Sequence, residues 1–211
     1  MQSGHRLLSS IAGAALFAVG GLGSVCAQPY AIVGNDEKVL WDAKGNTILS
    51  PPGKDSVVIL DLADPEAPKI VANLALKNSV VGPPVNVAID PTNSIALVAD
   101  SVDVVKDGDT LKQVPDDKVY VIDLKASPPR LVGAVQVGKQ PSGLSFNPAG
   151  TLALVANRLD KSITVLSVKG TDVKPIGVID MGDVVSHVAF TPEPLFPDSQ
   201  IGLVLPPPAT A

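Results

Sequence analysis

Cysteine, histidine and aromatic side chains are all scarce in this 211-residue sequence, which has one Cys, two His, one Trp, two Tyr and four Phe. A lone cysteine, Cys26, offers no intramolecular disulfide, so stability has to come from an apolar core. Beyond the first 27 residues His187 is the only imidazole, too few for a metal centre of the usual kind. The few aromatics leave no stacking platform for sugars. Charge is sparse as well: 18% of residues are Asp, Glu, Lys or Arg, and the formal net charge is −5. An acidic chain without a basic cluster excludes a nucleic-acid partner as the working expectation. There is no Gly-x-Ser-x-Gly elbow, no Cys-x-x-Cys-His haem attachment and no phosphate-cradling glycine motif.

Only one long apolar run exists, at 7–22, behind the positive head of Arg6. It ends at Val25-Cys26-Ala27, before Gln28-Pro29. Residues 1–27 therefore read as a secretory signal peptide cut after Ala27. The run is short for a span of roughly 20 residues, and polar chain follows it. The expectation is a periplasmic or secreted protein with no membrane span after processing.

What the sequence does have is Pro, Gly and short runs of β-branched residues, with 20 Pro and 18 Gly. Thr151-Leu152-Ala153-Leu154-Val155-Ala156-Asn157 is too short and too apolar for a surface helix. Ser162-Ile163-Thr164-Val165-Leu166-Ser167-Val168 alternates as a half-buried strand does. Asn147-Pro148-Ala149-Gly150 supplies the turn chemistry between runs: proline presets one corner, and glycine accepts a positive φ. The same units recur. SVVILDL, KVYVIDL and SITVLSV align as one strand type, VNVAIDP, SGLSFNP and SHVAFTP as a second, and SIALVAD with TLALVAN as a third. Repeats of about 40–50 residues with four strands each predict an all-β fold, a β-propeller of four-stranded antiparallel blades. Segment 28–53 holds short strands at Ala31-Ile32-Val33 and Thr47-Ile48-Leu49-Ser50 and is read as part of a blade. Repeats fill 54–192, and 193–211 is a proline-rich irregular tail. Trp41 is expected in the core or under a lid.

These units resemble the YVTN-type β-propeller repeat. Leu154-Val155-Ala156-Asn157 and, more loosely, Leu97-Val98-Ala99-Asp100 stand at its Tyr-Val-Thr-Asn strand end. Residues 141–150 resemble its P-x-G segment, and Val119-Tyr120-Val121-Ile122-Asp123-Leu124 its VsVIDl strand. The resemblance implies an exported, non-catalytic propeller that binds a protein or small ligand. A lactonase-like hydrolase and a redox-associated propeller are the alternatives. Propellers close with 4–8 blades, whereas this length holds about three to four. The expected ring is incomplete, with an open sheet edge prone to self-association.

In such a blade the loops joining the second strand to the third share a face with the loops joining successive blades. That face collects an insertion at 101–116, expected as an irregular acidic loop, together with 77–83, 138–140, 158–161 and 181–185. Its candidate binding residues are Asp103, Asp107, Asp109, Lys139, Gln140, Arg158, Asp160, Asp183 and His187. His187 is placed on a predicted inner strand. Asp107-Gly108-Asp109 lacks the spacing of a calcium loop, so no cofactor is expected, calcium being the alternative. No catalytic residue is assigned.

Overall fold

The computed structural model describes residues 29–79 and 86–191. The leader at 1–27 and the tail at 193–211 lie outside the described residues. All regular structure among the described residues is β. Five strands come first: β1 (Tyr30–Asn35), β2 (Val39–Trp41), β3 (Thr47–Leu49), β4 (Ser56–Asp61) and β5 (Lys69–Ala75). Strand β1 pairs antiparallel with β4, and β4 with β5, giving a three-stranded first blade. Strands β2 and β3 form a separate hairpin beside it.

The second blade has the order β6-β7-β8-β9, from β6 (Val87–Ile89), β7 (Ile95–Asp107), β8 (Thr110–Asp123) and β9 (Arg130–Gln136). The third has the order β10-β11-β12-β13, from β10 (Pro141–Phe146), β11 (Leu152–Asn157), β12 (Ser162–Lys169) and β13 (Asp172–Asp180). Every pairing is antiparallel. This is a partial propeller. Two complete blades and a three-stranded one pack face to face, and the ring is not closed among the described residues.

The packing explains the uniformly apolar strands. Successive residues of a strand face opposite sides of the sheet. In β7, Ile95, Leu97 and Ala99 join the cluster facing the third blade, with Leu144, Ala153, Val155 and Leu166. The intervening Ala96 and Val98 join the cluster facing the first blade, with Val57, Ile59 and Leu76. A strand sandwiched on both sides has no polar face, so it reads as a continuous apolar run. In β11, Leu154 and Ala156 turn instead to Val188 on the chain that follows β13.

The turns follow their chemistry. Asn147 Oδ1 accepts from the N–H groups of Thr151 (2.8 Å) and Leu152 (2.9 Å). Asp90 does the same in the second blade, with Ser94 (2.6 Å) and Ile95 (2.7 Å). Gly150 and Asn93 take matching positive φ values of 68° and 52°.

Three expectations need correction. The acidic insertion 101–116 is not an irregular loop. It is the extension of β7 and β8 into a regular two-stranded ribbon, with Asp107 paired to Thr110 at its tip. Buried Val102 and Val104 alternate with polar residues there, and Gly108 opens a two-residue turn at φ 62°. Glycine at the first central position is the requirement of a type II′ hairpin. Segment 186–191 is not a ladder strand. It runs beside β10, held by Gly143 N–H donating to the Ser186 carbonyl (3.1 Å) and Phe190 N–H donating to Ser145 Oγ (3.4 Å). Trp41 is 58% exposed, because β2 and β3 form a ribbon with no sheet beside them to cover it.

Candidate functional site

Where the chain passes from the second blade to the third, backbone hydrogen bonds tie the loop face together. A register shift in the β7–β8 pairing, between Asp100 and Val102, places an extra residue in β8 near Asp116 and Asp117. Such a bulge re-aims backbone groups. The Asp117 carbonyl accepts from Val137 N–H and the Asp116 carbonyl from Gln140 N–H, both at 2.8 Å. Gln140 sits at φ 57°, a left-handed conformation that redirects the chain into β10. Its carbonyl accepts from Arg158 N–H (3.0 Å), and the Lys139 carbonyl accepts from Leu159 N–H (3.2 Å). Lys139 N–H in turn donates to Asp160 Oδ2 (2.8 Å). Lys139, Gln140, Arg158 and Asp160 therefore form one fixed knot on the rim.

The other candidate residues lie elsewhere. Asp107 and Asp109 are exposed at the ribbon tip, about 20 Å of strand beyond Asp100. Asp107 pairs there with Lys112 at 2.8 Å. Asp103, at the ribbon root, is paired with Lys77. Burial alone would raise the Asp103 carboxyl, but hydrogen bonds from Lys77 and the Val104 N–H outweigh it and hold the group below the ordinary range. Asp183 accepts from Val184 N–H (2.7 Å) on the exposed loop after Met181. His187 is exposed on the segment beside β10, against Gly143. Among the described residues no three His, Cys, Asp or Glu side chains converge in a way that would hold a metal ion.

A second constellation sits deeper, at the seam between the first two blades. Lys38 is fully buried. Its ammonium donates to the Asp55 carboxylate and to the Asn78 carbonyl (2.6 Å), with Asp36 at 3.5 Å. Burial lowers the Lys38 pKa, but the bond to Asp55 and the charges of Asp36, Asp100 and Asp55 outweigh it, so the group is raised. Asn78 uses its amide on the carbonyls of Asn35 (3.1 Å), Ser56 (3.2 Å) and Leu76 (3.2 Å). Asp100 is fully buried too, and both of its carboxylate oxygens lack a hydrogen-bond partner among the described residues. Removal from water pushes its pKa up to about 7, with Lys38 opposing the rise and Asp116 and Asp103 adding to it. The trace of this constellation in the sequence is the acid in Leu97-Val98-Ala99-Asp100, where the sister strand has Asn157.

No family profile matches the chain, and no curated protein matches it either. Solved structures with a similar course include a protein of Bacteroides fragilis assigned as a 6-phosphogluconolactonase. It is 16% identical, with a TM-score of 0.48, over 71% of this chain and 40% of that one. A periplasmic gluconolactonase of Pseudomonas aeruginosa is 16% identical, with a TM-score of 0.44, over 69% and 40%. Hydrazine synthase of Kuenenia stuttgartiensis is 15% identical, with a TM-score of 0.47, over 73% and 52%. The chain thus spans about half the length of these structures or less. No helix among the described residues is long and apolar enough to cross a membrane.

Proposed function

We propose that this chain is an exported, non-catalytic propeller of the YVTN-repeat type that binds a protein or small ligand through its loop face. The observation that carries this reading is the rim knot of Lys139, Gln140, Arg158 and Asp160, whose backbone is locked before any ligand arrives. A site held rigid in the free protein loses little conformational freedom on binding. The exposed Asp160 carboxylate accepts from the Lys139 N–H and keeps its charge, while Lys139, Arg158 and Lys161 bring three cationic side chains to the same rim. Those side chains suit an acidic group on the partner. The root of the ribbon adjoins the knot, where the Asp116 carbonyl accepts from Gln140 N–H. The leader-like residues 1–27 support export.

Immobilised chain, wild type and Lys139→Glu/Arg158→Glu in parallel, would be exposed to a periplasmic extract and to a panel of acidic small molecules. A ligand retained by the wild type and lost by at least tenfold in the variant is the expected result. Retention equal in both would remove the rim from the site. Turnover of glucono-lactone by the purified chain would overturn the non-catalytic reading.

A further inference from the structure

We propose that the seam between the first and second blades holds a small monovalent cation, anchored on the buried carboxylate of Asp100. Asp100 lies two residues beyond Val98 on β7 and so shares its face, turned toward the first blade. Among the described residues both of its oxygens are without a donor, and a second partnerless buried oxygen, Asn78 Oδ1, lies on the same seam against Gly34 and Val87. Both residues offer only acceptors there, and acceptor oxygens call for a cation or a donor.

The neighbouring charges do not meet that need. Lys38 is engaged by Asp55, Asp36 and the Asn78 carbonyl. Lys77 is engaged by Asp103, and Lys118 by Asp116 at 2.8 Å. Tyr120, the remaining titratable group in electrostatic reach of Asp100, is itself raised by burial and by the Asp100 charge. The five carboxylates of Asp36, Asp55, Asp100, Asp103 and Asp116 outnumber the three ammonium groups of Lys38, Lys77 and Lys118, and Asp100 is the one of the five whose oxygens have no hydrogen-bond donor, so a single cation is assigned to it. A divalent cage would need several convergent carboxylates, and the described residues contain no such group.

The third blade shows that the fold does not require an acid at this position. Asn157 occupies it there, and its amide donates to Ser162 (3.1 Å) and Thr164 (2.8 Å). In the second blade the corresponding residues of β8 are Lys118 and Tyr120, neither of which hydrogen-bonds Asp100, and a carboxylate has replaced the amide. A shallow cleft of about 170 Å³, lined by Gly53, Asp55, Ala75, Leu76 and Lys77, opens onto Asp55, the partner of Lys38. Protons and cations compete for the same oxygens, so binding weakens as pH falls below about 7, where the carboxyl protonates.

The test is thermal unfolding of the full chain at constant ionic strength in potassium, sodium, methylammonium or tetramethylammonium chloride, at pH 8.5 and pH 5.5. At pH 8.5 the small cations are expected to raise Tm by several degrees over tetramethylammonium, which is too bulky to enter; a ligand bound only by the folded state acts in this way. At pH 5.5 the difference should collapse. Stabilisation by the metal ions alone would identify a metal-ion site, and stabilisation by methylammonium as well would identify a site for an amine head group. Asp100→Asn, which copies Asn157, should abolish the effect. Equal Tm in all salts at pH 8.5, or an undiminished shift in Asp100→Asn, would overturn the proposal.

Discussion

A buried carboxylate without a donor destabilises the fold in proportion to how far it is ionised, and Asp100 is such a group. Its pKa is raised to about 7 in the folded chain, against an ordinary 3.8. Between those values the unfolded chain has released the proton and the folded chain retains it, so stability falls as pH rises through the window and levels off above it. The nominal size across the window is on the order of 4 kcal/mol. Asp90 and Asp103 act in the opposite direction. Burial would raise both, but hydrogen bonds, led by those from Thr92 and Lys77 respectively, hold them low. Their contribution is present above the ordinary carboxylate range and is lost only in stronger acid. In tetramethylammonium buffer the urea midpoint is therefore expected to be lower at pH 8 than at pH 5 for the wild type, and nearly level for Asp100→Asn. A wild-type midpoint that rises from pH 5 to pH 8 would contradict this. Gly143 governs a different contact. A Cβ there would sit 2.6 Å from the His187 Cα and 2.7 Å from the Ser186 carbonyl oxygen, both of them backbone atoms. Gly143→Ala should cost about 1–3 kcal/mol and release the segment around His187, read as faster amide exchange at Val188, which is buried against β11.

At the level of elements, the ribbon formed by the ends of β7 and β8 depends on its turn. Gly108 at φ 62° is a conformation that disfavours a β-branched residue. Gly108→Val is expected to fray the pairs Asp107–Thr110 and Lys106–Leu111, with a loss of roughly 1–2 kcal/mol confined to the ribbon. Hydrogen exchange should rise at Leu111 and stay unchanged at Leu154 in the third blade; equal change at both would mean the ribbon is not an independent unit. The same ribbon shows where the sequence was legible. Strands β10 to β13 could be drawn from the sequence because proline and glycine turns bracket runs that are apolar on both faces or alternate. In the ribbon, four aspartates between 103 and 116 point to a solvated loop. The alternation of Val102 and Val104 with polar residues, and the Gly108-Asp109 pair, carry a hairpin signal. Segment 186–191 failed in the opposite way: it has the pattern of an inner strand, but a ladder needs a partner that periodicity cannot supply. The rim residues Lys139, Gln140, Arg158 and Asp160 could be grouped from loop order alone. The Lys38–Asp55–Asn78 cluster could not, since its members come from three separate stretches and meet only once the strands of the first blade have paired.

For the molecule as a whole, the first blade decides how the chain behaves in solution. Its Val57 and Ile59 face the second blade and are fully buried. The alternate residues Ala31, Val33, Val58, Leu60 and Ile70 share the opposite face, brought into line by the pairs Val33–Val58, Ala31–Leu60 and Leu60–Ile70. Val33 is 43% exposed and Ile70 is 68% exposed. A sheet face of this composition packs against another blade in a closed propeller, and left open it favours association. Light scattering behind a sizing column should show a mass that grows with protein concentration, and Val33→Asp/Ile70→Lys should hold it at the monomer value. Both positions already meet solvent, so the pair should shift the unfolding midpoint little, which separates loss of association from loss of fold. The rim knot lies at the junction of the second and third blades, away from this face. Ligand retention by the rim should therefore survive in the Val33→Asp/Ile70→Lys variant. If retention disappears along with association, the binding surface spans two copies of the chain and does not belong to one rim.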